Sequence, residues 1–145
     1  GPAELIAEAR ALRRLMLRHP PSNNQRTLAL FLAGGHHDTL IRRLTQVYKQ
    51  RYESLSAALE KYIPELIVSR TTGGSSVWLE GPEGLDASAL QRSGLAQGLF
   101  IEPGRPHFNS GISSDRFFRL GFSAIPTDKI DQGIKLLATL IHRSN

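Results

Sequence analysis

Across residues 3–63, apolar positions recur every three to four residues, and beyond that stretch they alternate every two. The first spacing gives a helix one apolar face, and the second gives a strand one apolar face. In residues 3–18, Leu5, Ile6, Ala9, Leu12, Leu15 and Met16 fall on one side of a first helix. His19-Pro20-Pro21 ends it, because each proline lacks an amide donor and restricts the residue before it. Ser22 or Asn23 is the expected cap of a second helix, which residues 27–33 complete and Gly34-Gly35 break. A third helix is expected over residues 37–62. Its apolar stripe is Leu40, Ile41, Leu44, Val47, Tyr48, Leu55, Ala58 and Leu59, opposite Arg42, Arg43, Lys49, Gln50 and Glu53. Such a helix spans roughly 35–40 Å, more than a small domain's diameter, and is expected to reach toward a second domain or a partner subunit.

The second half reads as short strands and two helices. Residues 66–70 form a strand candidate, Thr71-Thr72-Gly73-Gly74 a turn, and residues 75–80 the returning strand. There Val77 and Leu79 face one way, and Ser76 and Trp78 the other. After the loop Gly81-Pro82-Glu83-Gly84, Asp86 is the expected N-cap of a helix running to Leu95. Gly98 ends that segment, residues 99–102 form a short strand, and residues 103–114 form a loop rich in turn formers. In Phe117-Phe118-Arg119-Leu120-Gly121-Phe122-Ser123, alternation puts Phe118, Leu120 and Phe122 on one face and Arg119 on the other. Pro126-Thr127-Asp128 opens a last helix, with Ile130, Ile134, Leu137, Leu140 and Ile141 on its apolar side. The order β-β-α-β-β-α predicts an α+β fold. Three to four short strands form an antiparallel-rich sheet, helices cover one of its faces, and long connecting helices precede it.

At 145 residues with 40% hydrophobic content, the chain is long enough to bury a core, and no apolar run reaches the length of a membrane span. Residues 1–17 lack the apolar core of a signal peptide. The absence of cysteine excludes disulfides and thiolate chemistry and fits a cytoplasmic protein. The net charge of +5 is spread along the chain, and no helix-turn-helix, zinc finger or aromatic-basic platform for single strands is evident. A free-standing basic module binding nucleic acid or protein is the reading that charge alone would allow.

Arg119 is the sharpest candidate for chemistry. A guanidinium in so apolar a run needs an anionic partner or water, and its planar fork suits a carboxylate held by two hydrogen bonds. The alternative is a solvated arginine on an edge strand. Other motifs are weaker. His36 and His37 are adjacent, without metal-ligand spacing, and read as polar residues at a helix start; no metal site is expected. His107 sits in the glycine-rich loop, where it could touch a ligand. Glu80, Glu83, Asp86 and Glu102 form no assignable acid–base pair. Lys49, Lys61, Lys129 and Lys135 lie on polar flanks of helices, without the setting of a Schiff-base lysine. Neither a phosphate loop nor a dinucleotide fingerprint occurs.

Taken in chain order, several segments resemble the C-terminal part of fold-type I pyridoxal-phosphate-dependent aminotransferases. More narrowly, they resemble the aminotransferase-like domain of MocR-branch regulators in the GntR family. The segments are Arg18-His19-Pro20-Pro21 with Asn24-Gln25, Leu30-Phe31-Leu32-Ala33-Gly34-Gly35-His36, and Ile41-Arg42-Arg43-Leu44 with Tyr48-Lys49-Gln50-Arg51. Thr72-Gly73-Gly74-Ser75-Ser76-Val77-Trp78-Leu79, Ile101-Glu102-Pro103-Gly104 with Phe108, and Phe118-Arg119-Leu120-Gly121-Phe122-Ser123 follow.

The resemblance implies that residues 1–62 are a helical connecting segment and residues 63–145 an aminotransferase-like small domain, together one piece of a longer protein. It implies that Arg119 binds the carboxylate of an amino-compound effector or substrate. Gly73, Gly74, Pro103, Gly104, His107 and Phe108 would line that site. The motif of the cofactor-binding lysine has no match here, so the resemblance implies pyridoxal 5'-phosphate in the full-length protein but no covalent attachment, and no catalytic residue, in this piece. It also implies a homodimer and, in the regulator branch, DNA binding through an N-terminal winged helix-turn-helix domain. The alternative is the small domain of a metabolic aminotransferase.

Overall fold

The computed structural model of the chain describes residues 1–69, 73–109 and 115–144. The elements run α1 (Ala3–Leu17), α2 (Ser22–Ala33), α3 (His36–Tyr62), β1 (Ile67–Val68), β2 (Ser76–Glu80), α4 (Ala87–Leu95), β3 (Glu102–Pro103), β4 (Phe117–Gly121) and α5 (Thr127–Ser144). They divide into two compact units, Gly1–Leu44 and Thr45–Asn145. No helix among the described residues is long and apolar enough to cross a membrane.

The first unit holds α1, α2 and the first turns of α3. The expected helices are present, yet none of its residues is buried. Leu5, Ile6, Leu12, Leu15 and Met16, the predicted stripe of α1, are all exposed. The second helix starts earlier than expected. Pro21 is its N-cap and makes no side-chain cap bond, so neither Ser22 nor Asn23 has the predicted capping role. Proline is tolerated at this position because no helical hydrogen bond needs its missing N–H. Gly35 adopts φ 68°, a left-handed conformation that glycine takes without a Cβ penalty, and it lets the chain turn between α2 and α3.

The second unit contains a four-stranded antiparallel sheet in the order β1-β2-β4-β3. Val77 and Leu79 of β2 and Phe118 and Leu120 of β4 all point to the same face and are buried. That face packs with Leu55, Ala58 and Leu59 of α3, Leu90 of α4, and Ile130, Ile134, Leu137 and Ile141 of α5 into one core. The opposite face carries Ser76, Trp78 and Glu80 from β2 and Phe117, Arg119 and Gly121 from β4, none of them buried. Asp86 caps α4 as predicted, its Oδ1 accepting from the backbone N–H of Ser88 at 2.8 Å and of Ala89 at 3.0 Å.

Two strand boundaries differ from expectation. β1 is only Ile67–Val68, and Arg70, Thr71 and Thr72 of the predicted strand and turn lie outside the described residues. The strand expected over residues 99–102 is instead Glu102–Pro103. Ile101 is buried, which is why it reads as strand, but its burial comes from packing in the core and not from pairing with β4. Of the loop over residues 103–114, Arg105–His107 forms a short 3-10 turn, and residues 110–114 lie outside the described residues.

Candidate functional site on the open face of the sheet

Backbone register builds the site. Arg119 lies directly across from Trp78 on β2 and from Glu102 on β3, so the three side chains form a row on the open face. Arg119 therefore belongs to an interior strand, which corrects the edge-strand alternative. Its anionic partner is Glu102. Nε donates to Oε2 at 2.8 Å, and Nη2 donates to the same oxygen in a close contact. Both donors thus converge on one oxygen, leaving Oε1 for His107, whose Nε2 lies 3.3 Å away. The side chains of Arg119 and Glu102 are 51% and 36% exposed, so a solute can reach the pair.

The Arg119 guanidinium holds the Glu102 carboxyl below its usual value of 4.5 against the opposing effect of desolvation, and His107 adds to the lowering. A carboxyl whose folded value is depressed contributes stability above the ordinary glutamate value and loses it as pH falls through the lowered one. Chemical denaturation of the wild type and of Glu102→Gln over an acid pH series is expected to give a constant difference in midpoint above 4.5 that closes toward zero below it.

Beside this row stands an aromatic wall. Trp78 stacks with Phe117 at 6.2 Å between centroids, meets His107 edge-on at 5.7 Å and leans on Phe108 at 5.9 Å. Phe108 and Phe117 are 5.0 Å apart. Gly104 makes this packing sterically feasible. A Cβ there would lie 2.7 Å from the Trp78 ring and 2.8 Å from the Phe117 carbonyl oxygen, too close for any side chain. Its φ of −77° is ordinary, so the requirement is for space and not for backbone freedom. Gly104, His107 and Phe108 are thus gathered around Trp78, whereas Pro103 pairs with Phe118. Gly73 and Gly74 line a different cavity of about 350 Å³, with Thr45, Tyr48, Lys49, Tyr52 and Phe122. Arg119 and Glu102 instead line a mainly apolar cavity of about 550 Å³ with Phe100, Phe122, Ile125 and Lys129.

The sequence singles out Arg119 and the loop, but not the pairing of Arg119 with Glu102 or its place across from Trp78. The available signal was the outward position of Trp78 in β2. The pairing of Glu102 with Arg119 depends on a register that the intervening loop conceals.

No family model matches the chain. The alpha-aminoadipate aminotransferase LysN of Thermus thermophilus, solved with N-(5'-phosphopyridoxyl)-L-leucine, superposes on 99% of this chain and 36% of its own, with a TM-score of 0.83 and 28% identity. The HTH-type transcriptional regulator TauR of Rhodobacter capsulatus is 40% identical over 138 residues, which is 95% of this chain and 28% of TauR. Aromatic-amino-acid aminotransferase 1 of Thermococcus litoralis is 32% identical over 112 residues, 77% of this chain and 27% of the enzyme. The α+β fold is that of the fold-type I aminotransferase small domain, and the chain resembles that family in sequence as well. Within it, the chain resembles the aminotransferase-like part of MocR/GntR-type transcription regulators. It spans between a quarter and a third of the length of the curated relatives just named.

Pyridoxal phosphate is the cofactor this family implies for the parent protein. The residues present do not fit a covalent site for it. Lys49 is 4.0 Å from Glu53 and Lys61 is 3.6 Å from Asp131, both as exposed ion pairs. Lys129 and Lys135 are exposed on α5. A lysine that forms an imine is activated by a desolvated setting or a neighbouring cation, and these exposed side chains have neither the burial nor that neighbour.

Proposed function

We propose that this chain is the effector-binding, aminotransferase-like part of a DNA-binding transcriptional regulator of the MocR/GntR type. In this reading Arg119 clamps the carboxylate of an amino compound. The carrying observation is that Arg119 already holds a carboxylate, on an open sheet face and against an aromatic wall. Residues 1–62 serve as connecting helices and residues 63–145 as the small domain. Gly73, Gly74, Pro103, Gly104, His107 and Phe108 border the ligand. The parent is a cytoplasmic homodimer that holds pyridoxal phosphate on a lysine outside this chain and binds DNA through a winged helix-turn-helix domain, also outside it. The cofactor would fix the amine end of the ligand while Arg119 fixes the acid end, which sets the ligand's orientation.

The second reading is a metabolic aminotransferase. The likeness to LysN and to the Thermococcus enzyme favours it, and the higher sequence identity of TauR favours the regulator. The experiment is a DNA-binding assay with the cofactor-loaded full-length parent, using its own upstream region and a panel of amino acids. The expected result is sequence-specific binding whose affinity shifts with one amino compound. Steady conversion of amino donors to keto acids, with no specific DNA binding, would establish the metabolic reading instead.

A further inference from the structure

Arg119 is not idle in this chain, because a carboxylate of the same chain occupies it. We propose that Glu102 is a built-in competitor for the clamp, holding Arg119 until a ligand carboxylate displaces it, and that His107 receives Glu102 when it leaves. This inference rests on the clamp reading of Arg119 and goes beyond it by making ligand binding an exchange of carboxylates.

Four observations carry the argument. First, the contact is set by the backbone: Glu102 and Arg119 are direct cross-strand partners, so the carboxylate stays tethered beside the guanidinium and can return to it. Second, both contacting guanidinium nitrogens share the single oxygen Oε2, whereas a guanidinium fork can bind two oxygens in parallel. An incoming carboxylate can therefore form a better-matched pair than the resident one. Third, the pair is accessible, and exposed ion pairs contribute little net stability, so exchange is cheap. Fourth, a second partner already stands beside Glu102. His107 Nε2 is 3.3 Å from Oε1, its ring is braced edge-on by Trp78, and its backbone N–H donates to the Gly104 carbonyl at 2.8 Å. Glu102 need only release Oε2 to be held by His107 alone. Without such a hand-over, two carboxylates would crowd one guanidinium and repel each other.

The test uses the full-length parent and acetate as the ligand carboxylate, at constant ionic strength with chloride as the balancing anion. Phenylglyoxal modifies accessible guanidinium groups, and peptide mass spectrometry follows Arg119 specifically. The readout is the acetate concentration that halves its modification. In Glu102→Gln, and likewise in Glu102→Ala, that concentration is expected to fall roughly two- to fivefold, as the loss of an exposed ion pair implies. In His107→Phe it is expected to rise. Equal protection in wild type and both Glu102 variants would overturn the competitor role while leaving the clamp intact. An unchanged value in His107→Phe would remove the hand-over. Failure of acetate to protect Arg119 in every variant would bring down the clamp reading itself, and the competitor with it.

Discussion

Replacing Phe118 with alanine is expected to cost about 3–5 kcal/mol and to leave little of the second unit folded at physiological temperature. Phe118 is fully buried and lies in β4 between Leu79 of β2 and Pro103 of β3. Its ring fills the space between the sheet and the helices, and the surrounding backbone is pinned by ladder pairs on both sides. The site cannot collapse around the missing ring, so the loss of packing is compounded by the cavity. Phe117, one residue earlier, has the same chemistry on the open face and is only half-buried. Phe117→Ala is expected to cost clearly less. Urea denaturation checks both, and Trp78, the one tryptophan in the chain, reports by fluorescence from the sheet itself. Equal costs for the two phenylalanines would contradict the assignment of faces.

That assignment was legible in the sequence. Alternation in residues 75–80 and 117–122 specifies which residues face the core because a strand has only two sides. The cap at Asp86 was legible for a similar reason, since a short carboxylate before an apolar-periodic run has one obvious use. Local pattern failed where burial and pairing part company. Ile101 is buried without being in a strand, and Pro103 is in a strand despite lacking a donor, which is tolerable because β3 is the edge of the sheet. It failed again in α1, whose predicted stripe is present but exposed in this chain. Periodicity says that a helix has an apolar face, and nothing in the sequence of the helix says what covers it.

The site was half legible. Arg119 announced itself because a charge in an apolar run demands an explanation. Its partner did not, because Glu102 and Arg119 are seventeen residues apart and meet only through the β3–β4 register. Gly104 reads in the sequence as one turn former of a loop, and the structure shows that it also leaves room for Trp78 and Phe117. Sequence exposes the demands of single residues more readily than the pairings that meet them.

Arg119→Ala in the full-length protein is expected to weaken binding of carboxylate-bearing amino compounds roughly ten- to a hundredfold, the range expected for hydrogen bonds to a charged group. Two effects act together. The ligand loses its charge-assisted partner, and Glu102, left with His107 alone, remains as a negative charge near where the ligand carboxylate would sit. The second effect predicts that Arg119→Ala is partly rescued by adding Glu102→Gln, since the double variant removes the repulsion but not the lost attraction. Arg119→Lys should fall between wild type and alanine, because an ammonium keeps the charge and loses the fork. Folding should change little, as the side chain is half exposed and lies off the core face. Calorimetric titration against the effector, paired with a thermal melt of each variant, separates the two quantities. An Arg119→Ala protein with unchanged affinity would mean that the guanidinium serves only to hold Glu102 and to tie β3 to β4.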